Sequence, residues 1–437
     1  MWGQALNAKL LVHAALLASP QGNSAVHGRD MGRITTIVDA AIAVEGERIV
    51  AVGTSAELLL RYNEGDYPRI DMSGRCIVPG FVDSHTHLVF AGYREDEFMS
   101  RLDGASYMEI MDKGGGIAKT VIQTRAASAK TLVGIGRSHL ATILSMGVTT
   151  LEAKSGYGLD LDTELKQLAV QANLDAQQAI DVVSTFLGAH AIPPEFAGKE
   201  DAYIDFVIQS VLPEVIAQGV AKFCDVFCET GVFSVESSKR LLTAAKRMGL
   251  TPKIHADEMN SLGGTQLAVD LDAASADHLL AINDVSIRAL ANSSVVATVL
   301  PGTAFSLNKP FAPARKMIDA GCAVAIATDF NPGSCFSSSI PLAFALAGLK
   351  LGLSAEEALT ALTLNGAAAL GLASEIGSIE VGKIADFAVL TYPSYKFLMY
   401  HTAMNCVEWV FKRGKCVYGE EPELQSNVSK EGRTWQN

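Results

Sequence analysis

Between residues 81 and 329, short apolar and β-branched runs alternate with stretches whose apolar positions recur at helical spacing. Eight runs stand out: 81–85, 148–152, 182–187, 223–228, 252–255, 273–278, 295–299 and 323–329. Continuous apolar runs of this length fit parallel strands covered by helices, which bury both of their faces. Amphipathic segments at Ser237–Met248 and Ala355–Ala369 supply the covering helices. Eight such units are best satisfied by a (β/α)8 TIM barrel, an α/β fold. The long interval between runs one and two assigns extra helical structure to the first loop.

The two ends of the chain follow a different pattern. Residues 41–44 and 49–53 read as a hairpin around a Gly-containing turn, and residues 407–418 alternate as another. Chain termini often lie close together, so residues 1–80 and 376–437 are expected to form one composite β-sandwich beside a barrel of residues 81–375. The apolar run Leu10–Ala18 resembles a leader core, but His13 interrupts it and only Lys9 precedes it; it reads as strand.

Composition narrows the function. The chain has 437 residues, 49% of them hydrophobic, enough for a large core. A net charge of −12 argues against nucleic acid, and any anionic ligand must be recognised locally. No apolar run approaches the roughly 20 residues needed to cross a bilayer. The seven cysteines lack disulfide spacing, which fits a reducing compartment, so a soluble cytoplasmic protein is expected. Cys224 and Cys228 share one face of a strand, and with no second pair to complete a zinc knuckle they read as buried thiols.

The chemistry is concentrated at strand ends, where barrel active sites lie. His85, His87, His190, His255, His278 and Asp329 all fall there. His85 and His87 are two residues apart, so on an extended segment both point the same way. Strands one and eight are neighbours in a closed barrel, and strand five reaches across its mouth. His85, His87, His255 and Asp329 can therefore meet around one metal ion, divalent zinc or iron (ferrous or ferric). His13, His27, His139 and His401 lie outside this pattern and read as surface or packing residues.

The stretch Pro79-Gly80-Phe81-Val82-Asp83-Ser84-His85-Thr86-His87 resembles the opening motif of the amidohydrolase superfamily. Together with Lys154-Ser155-Gly156-Tyr157-Gly158-Leu159, His255-Ala256-Asp257-Glu258 and Asp329-Phe330-Asn331-Pro332-Gly333-Ser334, it is similar to the imidazolonepropionase family over nearly the whole chain. That resemblance implies hydrolysis of the lactam in 4-imidazolone-5-propanoate to N-formimidoyl-L-glutamate, in L-histidine degradation, by a homodimer. It implies that Asp329 and His278 take a proton from water, and that Glu258 serves both substrate binding and proton delivery to the departing ring nitrogen. It gives Tyr157, His190, Asn331, Gly333 and Ser334 substrate contacts; family members often carry threonine where this chain has Ser334. Arg94, seven residues after His87, can hold the substrate carboxylate bidentately. By position alone His278 could also be a fifth ligand. Glu229 ends strand four, where binuclear relatives place a bridging group, so a second metal stays open. Gly114-Gly115-Gly116 reads as a flexible loop.

Two other classes remain. One is an aminohydrolase that deaminates a heterocycle with the same ligands, although an uncharged base gives no reason for Arg94. The other is a non-catalytic barrel, which would be expected to have lost part of the ligand set.

Overall fold

The computed structural model describes residues 8–104, 115–420 and 424–425. Parallel strands Phe81–Asp83, Val148–Lys154, Asp181–Ala189, Phe223–Cys228, Ile254–Ala256, Ser275–His278, Val296–Val299 and Val324–Ile326 follow one another in sequence order around a barrel. A bridge between Thr86 and Phe330 joins the first edge to the last. Two bonds from Thr328 to the Asp83 carboxylate reinforce that junction, at 2.9 and 2.6 Å.

Local differences from the sequence expectations have physical causes. Strand one stops at Asp83, and the two histidines ride an extended continuation of it. That continuation is fixed by backbone bonds from Asp329 N to His85 O and from His87 N to Phe330 O, at 3.0 and 2.9 Å. The helix expected over 355–369 is two helices, Ala355–Leu362 and Leu364–Ala369, broken at Thr363. The break lets the buried Asn365 amide reach the carbonyls of Val26 and Val324. Leu364 and Ala367 then pack with Val82, Val183 and Phe223, near the strand starts.

The flanking sheet runs Lys415–Tyr418, Val407–Lys412, Phe387–Leu390, Cys76–Pro79, Ala8–Ser19, Thr35–Glu45 and Arg48–Thr54. Arg69–Asp71 lies alongside the first half of the long strand Ala8–Ser19, and Leu424–Gln425 pairs with it. A bulge at His13, with φ of +62°, divides the partners of that long strand. The sheet folds over on itself, because Ile49 bonds Gly382 and Lys383 just before the strand Phe387–Leu390. Leu11, Ile42, Ile77, Phe387 and Phe411 fill the space enclosed.

This sheet is tied to the barrel by buried charge. Lys412 Nζ bonds Asp386 at 2.6 Å, on the sheet, and Asp181 at 2.8 Å, at the start of barrel strand three. Cys224 and Cys228 are buried free thiols. Among the described residues, no helix is long and apolar enough to cross a membrane.

Candidate active site

At the strand ends the chain turns sharply. Asp257, His278, Leu279 and Asp329 all have positive φ, a conformation that costs non-glycine residues about 1–3 kcal/mol each. The turns aim side chains into the barrel mouth. His85, His87 and His255 bring ring nitrogens within 4.8 Å of one another, and His85, His278 and Asp329 form a second overlapping group. Asp329 Oδ1 lies 3.5 Å from His85 Nε2 and 3.6 Å from His87 Nε2. Its other oxygen accepts the hydroxyl of Thr303 at 2.6 Å.

The residues fit a divalent ion. His85 Nε2 and His255 Nε2 are buried without a hydrogen-bond partner. A buried polar atom with no partner is unfavourable, and two that converge with a carboxylate suit a cation. Burial, reinforced by neighbouring cationic groups, holds His85, His87 and His278 well below the usual histidine range, which leaves neutral rings with free lone pairs. For His255 burial acts in the same direction, but contact with Asp225 outweighs it and the shift is upward.

A second layer of charge holds the histidines from behind. His85 Nδ1 lies 2.7 Å from Asp277 Oδ2, and His255 Nδ1 lies 3.1 Å from Asp225 Oδ2. The Asp277 carboxylate accepts, so Nδ1 of His85 carries the proton and its Nε2 turns inward, while Asp225 faces the His255 ring as a charge partner. One ammonium joins the two carboxylates: Lys154 Nζ is 2.7 Å from Asp225, 3.0 Å from Glu152 and 3.5 Å from Asp277. Lys253 completes the layer by donating to Glu152 at 2.9 Å. Burial would lower the Lys154 pKa, but the three carboxylates outweigh it and keep the ammonium charged.

Glu258 is a largely buried side chain, 17% exposed, rather than a solvated loop carboxylate. Burial and nearby Asp329 push its pKa up to about 7. Its Oε2 lies 3.6 Å from His278 Nδ1. Asp329 is pushed to about 6, chiefly by burial. Glu229 lies beneath this corner, fully engaged: it accepts the N–H groups of Thr230, Met259 and Asn260 and the Asn260 amide, at 2.7 to 3.1 Å. It anchors the loop that carries Glu258, and these bonds leave it without the free oxygens a second metal would need.

On the opposite side, His190 stacks on His87 with ring centroids 4.9 Å apart, and Tyr157 lies 5.7 Å from His87. Burial drops His190 to about 3 and raises Tyr157, so both face the mouth uncharged. Arg94 is close enough for its charge to act on both. Its guanidinium packs against Gly333: a β-carbon there would stand 1.4 Å from Arg94 Nη2. The Asn331 amide is committed within its own loop, accepting from Gly333 N and Ser334 N at 2.8 Å and donating to Asp329 O and Ser334 Oγ at 2.7 Å. That saturates its bonding capacity, so Asn331 shapes the loop while Ser334 keeps a hydroxyl proton to offer. Gly115 and Gly116 are buried beside helix Glu95–Leu102, with Gly116 N bonded to Glu97; Gly114 lies outside the described residues.

Sequence reasoning missed the supporting layer of Thr303, Asp225, Asp277, Lys154, Lys253 and Glu152. A signal was present, since charged residues interrupt strands that are otherwise apolar, and a charge in such a place is tolerated only when paired.

Comparison with known proteins follows the same outline. The sequence profile of the amidohydrolase family matches residues 76–417, and that of an imidazolonepropionase-like composite domain from bacteria matches residues 40–62. An imidazolonepropionase of Parabacteroides distasonis is 55% identical over 94% of this chain and 99% of its own. One from Clostridium tetani is 51% identical over 94% and 98%. Among solved structures, a zinc-bound adenosine deaminase from Xanthomonas campestris superposes with a TM-score of 0.69 at 19% identity, covering 96% of this chain and 94% of its own. A triazine hydrolase variant gives 0.71 at 18% identity, covering 96% of both chains. At that identity the two structures speak to the fold alone.

Proposed function

The chain belongs to the amidohydrolase family and, within it, to the imidazolonepropionases, and from that membership we propose how the residues at the barrel mouth divide the work. The protein is a metal-dependent hydrolase that opens the cyclic amide of 4-imidazolone-5-propanoate to give N-formimidoyl-L-glutamate in histidine degradation. His85, His87, His255 and Asp329 hold the ion, zinc or iron; imidazole and carboxylate donors suit both. When bound, the ion supplies Lewis-acid polarisation and a source of hydroxide at neutral pH.

The remaining work falls to side chains. Arg94 grips the propionate through two parallel N–H···O bonds. Tyr157 and His190 hold the ring, and Ser334 offers its hydroxyl from the loop that Asn331 shapes. Asp329 and His278 take the proton lost by the attacking water. Glu258 delivers a proton to the ring nitrogen as the C–N bond breaks, which a carboxyl with a pKa of about 7 can do near neutrality.

Support rests on one juxtaposition: unpartnered histidine nitrogens and Asp329 Oδ1 converge beside Glu258, whose carboxyl is pushed up to about 7, with Arg94 near enough for its charge to reach Tyr157 and His190. The test is an ultraviolet assay of imidazolone propionate loss on metal-quantified protein. Turnover that tracks metal content is expected, and elemental analysis of the active protein decides between zinc and iron. Absence of turnover, with ammonia released from a purine or pyrimidine instead, would favour a deaminase.

A further inference from the structure

Tyr157 and His190 depend on a loop that cannot hold its own shape. In residues 155–159 the φ angles of Gly156 and Leu159 are +99° and +57°, and a β-carbon on Gly156 would meet Leu187 O at 2.8 Å. Every backbone N–H from Gly156 to Leu159 ends on one of two side chains of the helix Leu161–Gln177. Glu164 Oε1 accepts Gly158 N and Leu159 N, both at 2.8 Å, and its Oε2 accepts Gly156 N at 3.1 Å. Gln167 accepts Tyr157 N at 3.1 Å and donates to Val89 O at 2.7 Å. Glu164 is 1% exposed and, among the described residues, forms no ion pair.

Converging backbone N–H groups of this kind usually form an anion-binding concavity. Here the anion is part of the chain. The consequence extends past Tyr157, because His190 Nδ1 donates to Gly156 O at 3.1 Å. The same loop therefore sets the ring that stacks on His87.

We propose that Glu164, assisted by Gln167, is a positioning residue for substrate: its carboxylate fixes the loop that carries Tyr157 and that holds the His190 ring through Gly156 O. This rests on the assignment of those two residues as substrate contacts. Glu164 touches neither the metal cradle nor the reacting atoms, so its loss should raise KM and spare both metal content and kcat.

The experiment uses the metal-loaded enzyme and three variants. In Glu164→Ala, KM is expected to rise on the order of 10- to 100-fold, with kcat changed by about threefold or less and metal content unchanged. Added formate should recover KM in that variant by occupying the vacated concavity, but not in Glu164→Gln, whose amide fills the space and brings N–H groups towards N–H groups. Lack of formate recovery would mean that packing rather than the carboxylate holds the loop, and would overturn the proposal. So would a wild-type KM in folded, metal-loaded Glu164→Ala. If neither Glu164 variant folds, Gln167→Met decides the matter: a several-fold rise in KM supports the role and an unchanged KM ends it. Wild-type turnover in the same assay separates the two failures. No turnover by the wild type sinks the substrate assignment and this role with it, whereas normal wild-type turnover beside an unaltered variant KM sinks this role alone.

Discussion

His85 Nδ1 lies 2.7 Å from Asp277 Oδ2 with both side chains fully buried, so the tautomer of a histidine proposed to hold the metal is set by a residue outside that proposed ligand set. Replacing the acceptor with an amide in Asp277→Asn allows the ring to be approached by an N–H donor instead, which favours the wrong tautomer. Loss of such an outer partner typically weakens metal binding about 10- to 100-fold. Chelator competition on the purified protein measures the change directly; undiminished affinity would show that ring orientation does not depend on Asp277.

Arg94 and Gly333 form a pair that can be broken from either side. Arg94→Ala should raise KM about 10- to 100-fold, the equivalent of the roughly 1.5–3 kcal/mol of a charge-assisted hydrogen bond. Gly333→Ala leaves the arginine in place chemically but puts a methyl group where its guanidinium now lies. It should therefore reproduce much of the KM effect without loss of metal. Steady-state kinetics with metal analysis check both variants, and a normal KM in Gly333→Ala would show that Arg94 can act from another position.

The pH profile should carry the signature of Glu258. Burial, with Asp329 nearby, raises its pKa to about 7, so the carboxyl keeps its proton below that value and loses it above. A group that must donate a proton is then competent on the acidic side. Accordingly, kcat/KM should fall as pH rises through about 7. In Glu258→Gln that limb should disappear along with about 10²- to 10⁴-fold of the rate. Persistence of the limb in the variant would assign it to another group.

Lys412 sits between Asp386 of the flanking sheet and Asp181 of the barrel, itself almost fully buried. Lys412→Met would leave Asp386 buried without its partner, a defect that usually costs about 3–5 kcal/mol. Denaturant unfolding should show the loss as a lower midpoint. Activity of the protein that remains folded should be little changed, because the site is at the opposite ends of the strands.

The cluster proposed to hold the metal was legible in the sequence because strand ends can be read from apolar runs, and His85, His87, His255 and Asp329 each stand at or just past the end of such a run. The eight runs and the β-rich termini carried the architecture for the same reason. Glu164 and Gln167 were not legible: three residues apart at the start of a helix, they look like ordinary positions of an amphipathic segment until the loop beside them needs acceptors. Thr303 was equally silent, as a hydroxyl in a short helix carries no pattern.

What the sequence determined by itself was periodicity: which segments are strands, which are helices, and which chemically capable residues stand at their ends. Only the tertiary structure decided which buried polar groups pair, with Lys154 joining the Asp225 and Asp277 carboxylates, Glu229 turned to the loop of Glu258, and Asn331 closed on its own backbone. The physical reason is that apolar burial follows the regular repeat of a helix or strand, whereas a buried hydrogen bond depends on angles and ångström distances between residues far apart in the chain, which no local repeat encodes.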